Sequence, residues 1–146
     1  MHIRRERVIL TNFLFQLTRV ALRVYALLMF RMDIHWHGPL PKGPVLFAAN
    51  HPSTTDPVLI HLISRRPISV MITSKVFSIP VLGPFMRRMK QICVVPGQGE
   101  QVLEEARQTL EKGLDVAIFP EGLISPTNGF HAPRSGVARL ALKSGV

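Results

Sequence analysis

Cysteine is nearly absent from this sequence of 146 residues, which contains Cys93 alone. One thiol forms neither an internal disulfide nor a cysteine metal cluster, so disulfide-stapled secreted domains and cysteine zinc sites are excluded. A reducing cytoplasmic environment is the simpler expectation. Long apolar runs are missing too, because the longest charge-free run before Arg19 in the apolar segment 8–30 has 11 residues. A membrane span needs roughly 20 such residues.

Acidic residues are scarce in the first part of the chain. Residues 1–90 hold 13 basic and three acidic side chains, a net charge of +10, whereas residues 91–146 hold five basic and six acidic ones. This excess predicts an anionic partner, either nucleic acid or a membrane surface. Nucleic acid is disfavoured, since no recognition motif is present and few aromatic residues accompany the basic ones. With 47% apolar residues, the chain fits one domain with a buried core.

The segment 8–30 predicts a helix lying in the membrane interface. At about 100° per residue, its polar residues form one stripe roughly 60° wide, made of Asn12, Gln16, Arg19 and Arg23. The remaining surface is apolar apart from two threonines. We expect the arginines to reach lipid phosphates while the apolar side chains enter the acyl region. The apolar set includes Phe13, Phe15, Leu22 and Leu27.

A second interpretation of this segment stays open, namely a helix covered by the rest of the domain. A secretory signal peptide is disfavoured, because arginines interrupt the apolar region and no small-residue cleavage site follows. The leading basic residues Arg4, Arg5 and Arg7 favour an anionic surface. The basic run 87–90 follows another apolar stretch, and we favour a second membrane contact there over a solvated face.

After the first helix, apolar runs alternate with segments of helical period. The predicted strands are 33–37, 45–49, 68–73, 92–95 and 116–120, and the predicted helices lie near 57–65, at 100–112 and from 136 onward. Continuous apolar strands separated by helices indicate an α/β fold with a largely parallel sheet covered by helices. We expect His61, on the first of these helices, to be a partly buried structural residue.

Chemistry in such folds sits at the carboxyl ends of the strands. The strand 45–49 runs into His51, and Asp56 follows five residues later in the early turn of a helix that Ser53, Thr54 or Thr55 caps. The carboxylate can fold back to one ring nitrogen and leave the other to accept a proton from a hydroxyl. On spacing alone, a capping accident is the commoner explanation. No G-x-S-x-G elbow is present, and Cys93 lies within an apolar strand, so a covalent nucleophile has no obvious carrier.

The strand 116–120 runs into a second polar end, Glu121-Gly122, and the two ends together carry a resemblance. The chain resembles the glycerolipid acyltransferase family in the order and spacing of its motifs, from about residue 34 to the last residue. The motifs that carry the resemblance are N-H-P-S-T-T-D at 50–56 and F-P-E-G at 119–122. Paired H-x-x-x-x-D and F-P-E-G words at this separation are specific, whereas either word alone is a weak signal.

The resemblance implies transfer of a fatty acyl group from acyl-CoA or acyl carrier protein to a lysophospholipid hydroxyl, in phospholipid biosynthesis. His51 would be the general base and Asp56 its orienting partner. The substrate-binding residues would be Asn50, Lys75, Phe119, Pro120, Glu121, Gly122 and Arg134. No metal and no cofactor beyond the thioester co-substrate are implied. Residues 1–32 would form a membrane-associated helix and residues 33–146 the catalytic domain, monotopic on the cytoplasmic face of the membrane.

Departures from the family pattern concern the acceptor and the end of the chain. Pro96 and Ile124 stand where the family usually places arginines that bind the acceptor's phosphate, and such bidentate contacts are hard to replace. The acceptor is therefore either lysophosphatidic acid or a phosphate-free lysolipid or polyol. A non-catalytic membrane-binding homologue is the remaining alternative. Because the family continues into further strands after the last helix, we expect this sequence to be the amino-terminal part of a longer protein.

Overall fold

The computed structural model of the chain describes residues 2–31, 33–64 and 66–146; for 2–12 and 14 the description covers the backbone alone. The elements in chain order are α1 (His2–Met29), β1 (Leu46–Ala48), α2 (Asp56–Leu59) continuing into a 3₁₀ turn (Ile60–Leu62), β2 (Ile68–Thr73), α3 (Ser74–Phe77), α4 (Leu82–Arg88), β3 (Ile92–Val94), α5 (Gly99–Glu111), β4 (Asp115–Ile118) and α6 (Gly136–Ser144).

The four strands form one parallel sheet in the order β1-β4-β2-β3. Its central strand β4 is buried along its whole length, and Ala117 lies opposite Phe47 on one side and Val70 on the other. Strands buried on both faces are apolar at successive positions rather than at alternate ones, which is why these runs could be recognised. The predicted parallel α/β fold is confirmed.

Successive residues of β4 point to opposite faces and divide the core into two clusters. Val116 belongs to the cluster that α5 and α6 cover, together with Ile92, Val102, Leu103, Ala106, Leu110 and Leu140. Ala117 belongs to the cluster on the other face, together with Ile60, Ile68, Val70 and Phe119. Helices therefore cover the sheet on both faces, and α5 buries the apolar stripe from which it was predicted.

The prediction of a strand at 33–37 is wrong. The backbone of this segment, within its described residues 33–37, has no strand conformation, and its side chains are exposed. Asp33 and His35 form an exposed ion pair of 2.9 Å instead. Alternating polarity stabilises a strand only when a neighbouring strand pairs with it, and Pro39, Pro41 and Pro44 carry the chain onward without the N–H groups that a ladder needs.

Helix α1 lies against α2 and the 3₁₀ turn along one narrow face. Phe15 and Ala26 are buried on the same side of the helix, and Phe15 meets the ring of His61 edge-on at a centroid distance of 6.2 Å. His61 is buried, as expected for a structural residue. The opposite face of α1 remains exposed and apolar, with Phe13, Leu17, Val20, Val24, Leu27 and Leu28.

This arrangement corrects the predicted faces of α1. Phe15 packs onto the domain and Leu22 is half-buried, so neither side chain belongs to the outward apolar surface, whereas Phe13 and Leu27 do. In the polar stripe, Gln16 and Arg23 are exposed and Arg19 is half-buried. The side chains of Asn12, Arg4, Arg5 and Arg7 lie outside the described residues. None of the helices that the structure describes has both the length and the hydropathy of a membrane span.

Asp115 closes the amino end of the sheet. Its side chain is fully buried and accepts hydrogen bonds from the backbone N–H of Val45 at 3.0 Å, from the hydroxyl of Ser64 at 3.0 Å and from Nε of Arg66 at 3.2 Å. Arg66 also donates to the carbonyls of Lys42 and Gly43. One carboxylate thus ties the segment entering β1 to the segment entering β2.

Candidate active site

Two strand ends meet at the carboxyl edge of the sheet. β1 and β4 are parallel neighbours, and the backbone N–H of Ala49 continues their ladder by donating to the carbonyl of Ile118 at 3.2 Å. The residues that follow, from His51 and from Phe119, therefore leave the sheet side by side. The structure brings together the two motifs that lie about 70 residues apart in sequence.

His51 and Asp56 form a dyad. Asp56 stands in the first turn of α2, and its Oδ2 lies 3.0 Å from Nδ1 of His51. The same oxygen accepts the backbone N–H of Ser53 at 2.7 Å, which fixes the carboxylate. Thr55 precedes the helix but makes no side-chain capping bond; Ser53 accepts the N–H of Thr55 instead, at 3.2 Å.

The geometry assigns the protonation of the imidazole. A carboxylate at Nδ1 accepts a hydrogen bond from that nitrogen, so the neutral ring carries its proton there and Nε2 keeps a free lone pair. The ring of Phe119 stacks on the imidazole at a centroid distance of 4.3 Å and an angle of 22°. The His51 side chain is 17% exposed, which leaves the ring reachable but held. This arrangement suits a general base.

A buried carboxylate holds the backbone of His51. Oε1 of Glu121 accepts the N–H of His51 at 3.3 Å and the hydroxyl of Ser125 at 2.5 Å, while Oε2 accepts the N–H of His131 at 2.8 Å. Ser125 adds two more bonds: its hydroxyl oxygen accepts the N–H of His51 at 3.2 Å, and its own N–H donates to the His51 carbonyl at 2.8 Å. We call Glu121, Ser125 and the N–H of His131 the histidine clamp.

The clamp explains the ionisation of Glu121. The hydroxyl of Ser125, then the N–H of His131, and further the N–H of His51 hold the pKa of this carboxyl below its ordinary value. Sequence reasoning placed Glu121 in the acceptor pocket, whereas the structure directs its carboxylate into internal hydrogen bonds. Ser125 and His131 carried no signal for this role, because nothing in a spacing of four or ten residues reveals a shared carboxylate.

The turn after β4 also positions Arg134. The carbonyl of Pro120 accepts the N–H of Arg134 at 2.9 Å. Gly122 has a positive φ of 68°, and the guanidinium of Arg134 lies against it, so that a Cβ built there would be 3.0 Å from Nε. Among the described residues, no carboxylate forms an ion pair with Arg134.

The other predicted binding residues lie along the same edge. Asn50 is exposed just before His51, and Lys75 is exposed in α3, directly after β2 and two strands away from β1. Leu123 and Ile124 are exposed beside Gly122. Pro96 follows β3 and is exposed. The binding residues predicted from the sequence thus follow three strands whose carboxyl ends share one edge of the sheet.

The described residues contain no cluster of metal-binding side chains, and their open cavity lies away from His51. In the described part of the chain, no three histidine, cysteine or acidic side chains come close enough to hold a metal ion. An open cavity of about 540 Å³ lies at the amino edge, lined in part by Trp36, Lys42 and Arg66. Arg66 is already paired with Asp115 there, and the His51–Asp56 pair lies at the opposite edge of the sheet.

The chain is similar in sequence to known acyltransferases. The sequence profile of the acyltransferase family matches residues 31–146. The chain is 28% identical over 126 residues to a lyso-ornithine lipid O-acyltransferase of Pseudomonas aeruginosa, a match covering 85% of the chain and 47% of that protein. It is 32% identical over 112 residues to a 1-acyl-sn-glycerol-3-phosphate acyltransferase of Chlamydomonas reinhardtii, covering 74% of the chain and 33% of that protein.

A solved structure supports the fold. The crystal structure of the 1-acyl-sn-glycerophosphate acyltransferase PlsC from Thermotoga maritima matches with a TM-score of 0.74 and 20% sequence identity, covering 93% of this chain and 56% of that one. At this identity the likeness concerns the fold. The chain spans between a third and a half of the length of the curated relatives it matches.

Proposed function

Since the chain belongs to the acyltransferase family, we propose that the protein transfers a fatty acyl group from a thioester to a hydroxyl of a lysolipid. The observation that carries the proposal is the dyad: Nδ1 of His51 lies 3.0 Å from Asp56, and Nε2 is left free as the base. A thioester is already activated, so a positioned base for the acceptor hydroxyl is the main chemical requirement.

In the proposed reaction, Nε2 of His51 takes the proton of the acceptor hydroxyl as its oxygen attacks the thioester carbonyl. Asp56 stabilises the imidazolium that forms. When the tetrahedral intermediate collapses, the carbon–sulfur bond breaks and the imidazolium returns the proton to the leaving thiolate. General base catalysis of this kind contributes roughly 10² to 10⁴ in rate. Acyl-CoA or acyl carrier protein supplies the thioester as co-substrate.

The histidine clamp is assigned a positioning role in this mechanism. The clamp fixes the peptide groups on both sides of the His51 Cα, and Phe119 fixes the plane of the ring. A base held in this way does not need to be reoriented when the acceptor arrives, which keeps the reacting atoms in near-attack geometry.

The acceptor is the less defined substrate. Lys75 and Arg134 are the basic side chains that we assign to its anionic head group. The curated relatives are named for two different acceptors, a lyso-ornithine lipid and 1-acylglycerol 3-phosphate. Ile124 beside the turn and Pro96 after β3 stand where the family usually places arginines, and both side chains are exposed and uncharged. We therefore expect only a weak preference for an acceptor that carries a phosphate over its phosphate-free analogue.

Membrane association is assigned to α1. Its outward face exposes Phe13, Leu27 and their apolar neighbours, and residues 1–90 carry a net charge of +10. This combination suits a helix lying on an anionic bilayer, with residues 1–32 as the membrane-associated part and residues 33–146 as the catalytic domain. The lipid acceptor then reaches His51 from the cytoplasmic leaflet, and the protein is monotopic.

The test of the dyad is His51→Ala in the full-length protein. Acyl transfer should fall by roughly a hundredfold or more with unchanged circular dichroism, because the hydroxyl loses its base. His37→Ala serves as the matched control, since His37 is exposed in the segment before β1. Wild-type turnover in His51→Ala would show that another group removes the proton.

A further inference from the structure

We propose that Gly122 is the positioning residue for Arg134, and that its missing side chain holds the guanidinium where it binds the anionic head group of the acceptor. The inference rests on the proposed acyl transfer and names a residue that sets the specificity of the same site. A phosphate or a carboxylate on the head group offers the chemistry that a guanidinium pairs with.

The contact between the two residues is unusually close. A Cβ on Gly122 would lie 3.0 Å from Nε and 3.1 Å from Cζ of Arg134, and 3.5 Å from Cδ. The Nε–Cζ end of the Arg134 side chain therefore lies close to the space that a Cβ at position 122 would occupy. A Cβ at position 122 would shift the charged end of Arg134 by a few tenths of an ångström.

The backbone of Arg134 is fixed independently of this contact. Its N–H donates to the carbonyl of Pro120. Two residues later α6 begins at Gly136, which packs so close to Leu103 that a Cβ at position 136 would lie 3.6 Å from the Leu103 side chain. With both sides of Arg134 anchored, the side chain has a defined starting point. Gly122 lies against the Nε–Cζ end of that side chain, so its lack of a Cβ leaves room for the guanidinium at this position.

The charge of Arg134 is available to a ligand. The nearest carboxylate along the chain, Glu121, is buried, and its oxygens accept bonds from the histidine clamp. Within the described residues no ion pair and no side-chain hydrogen bond involves Arg134, although it is exposed at the edge that carries His51. A substrate anion binding there would lie at the edge of the sheet that carries the base.

Gly122 has a second reason to be glycine, because its φ of 68° strains any residue with a Cβ. The chain offers a control that separates the two effects. Gly113 has a similar φ of 79° in the turn between α5 and β4, but a Cβ there meets nothing within 4 Å. Gly113→Ala reproduces the backbone strain, and Gly122→Ala adds the displacement of Arg134.

The experiment compares initial rates of the full-length protein with 1-acylglycerol 3-phosphate and with uncharged 1-monoacylglycerol. Gly122→Ala should raise the KM for the phosphate-bearing acceptor about threefold more than the KM for monoacylglycerol. Any strain that the new residue passes to the neighbouring Glu121 should lower kcat for both acceptors alike. Gly113→Ala should alter neither KM. Adding Gly122→Ala to Arg134→Ala should produce no further rise, because the group that it displaces is already gone.

Two results would overturn the inference: equal rises in KM for both acceptors, or additive effects in the double variant. If Gly122→Ala does not fold, Arg134→Lys replaces it, since lysine keeps the charge but lacks the planar group that rests on Gly122. A KM for Arg134→Lys equal to that of the unmodified protein contradicts the inference. If the unmodified protein acylates neither acceptor, the proposed function is wrong as well. If acyl transfer occurs but is insensitive to Arg134→Ala, only the present inference is wrong.

Discussion

Acidification should destabilise the fold through His61. This residue lies in the 3₁₀ turn between the sheet and α1, packs edge-on against Phe15 and is 9% exposed. Its Nδ1 has no hydrogen-bond partner within the described residues, and burial lowers the pKa of the imidazole from 6.5 to about 4. The folded protein therefore disfavours the imidazolium that the unfolded chain accepts readily.

The sign and size of the effect follow from linkage. Between pH 6.5 and pH 4 the unfolded chain binds the proton and the folded one does not, so the free energy of unfolding decreases as the pH falls through this window. At about 1.36 kcal/mol for each pH unit, the loss reaches about 3 kcal/mol and stops growing below about pH 4. Between pH 7 and pH 5 it amounts to about 2 kcal/mol.

Urea denaturation of the unmodified protein and of His61→Leu measures this contribution. Carboxylates also titrate in the window, but they titrate alike in the two proteins, so the difference between the two unfolding free energies isolates His61. We expect this difference to shift by about 2 kcal/mol in favour of the variant from pH 7 to pH 5. His37→Leu, at an exposed position, should show no such shift. Parallel pH profiles for the unmodified protein and His61→Leu would refute the burial argument.

Three further predictions concern the sheet, the dyad and α1. Asp115→Ala should reduce the free energy of unfolding by about 2 to 4 kcal/mol in urea denaturation, because the hydroxyl of Ser64 and the N–H of Val45 lose their buried acceptor; a loss below about 1 kcal/mol contradicts this. Asp56→Asn should lower acyl transfer at least a hundredfold in initial-rate assays, since an amide can hold the ring of His51 in the wrong tautomer, and near-normal rates exclude an orienting role. Deleting residues 1–31 should release the protein from anionic vesicles in flotation assays, and salt should release the unmodified protein only partly; full release by salt argues against an embedded helix.

Much of the fold was predictable from local pattern. β1, β2 and β3 lie within their predicted apolar runs, and β4 begins one residue before its predicted run, at Asp115. Helix α5 begins and ends within one residue of the predicted range 100–112. Both elements leave a signal in the local sequence. A strand buried on two faces is apolar at every position, and the turn after α5 requires a residue that adopts positive φ, which is Gly113. Where the pattern depends on a distant partner, as at 33–37, the prediction was wrong.

The faces of α1 show the same limit. Phe13 and Phe15 are chemically identical and both lie on the apolar side of the helical wheel, yet one is 65% exposed and the other 3%. The difference comes from His61 and the 3₁₀ turn, which are about 45 residues away in the chain. A helical wheel describes one helix, and it contains no information about which stripe the rest of the domain covers.

In the site too, contacts between residues close in sequence could be predicted and contacts between distant residues could not. His51 and Asp56 could be paired from sequence because five residues and a helix start bring them together, and that pair is present at 3.0 Å. The histidine clamp and the contact of Arg134 with Gly122 join positions about 70 and 12 residues apart, and no local rule predicts either. These distant contacts supply what the motif lacks. A histidine beside an aspartate is common, whereas a histidine whose peptide groups are also held from both sides is a more specific arrangement, and it suits the fixed base that we propose.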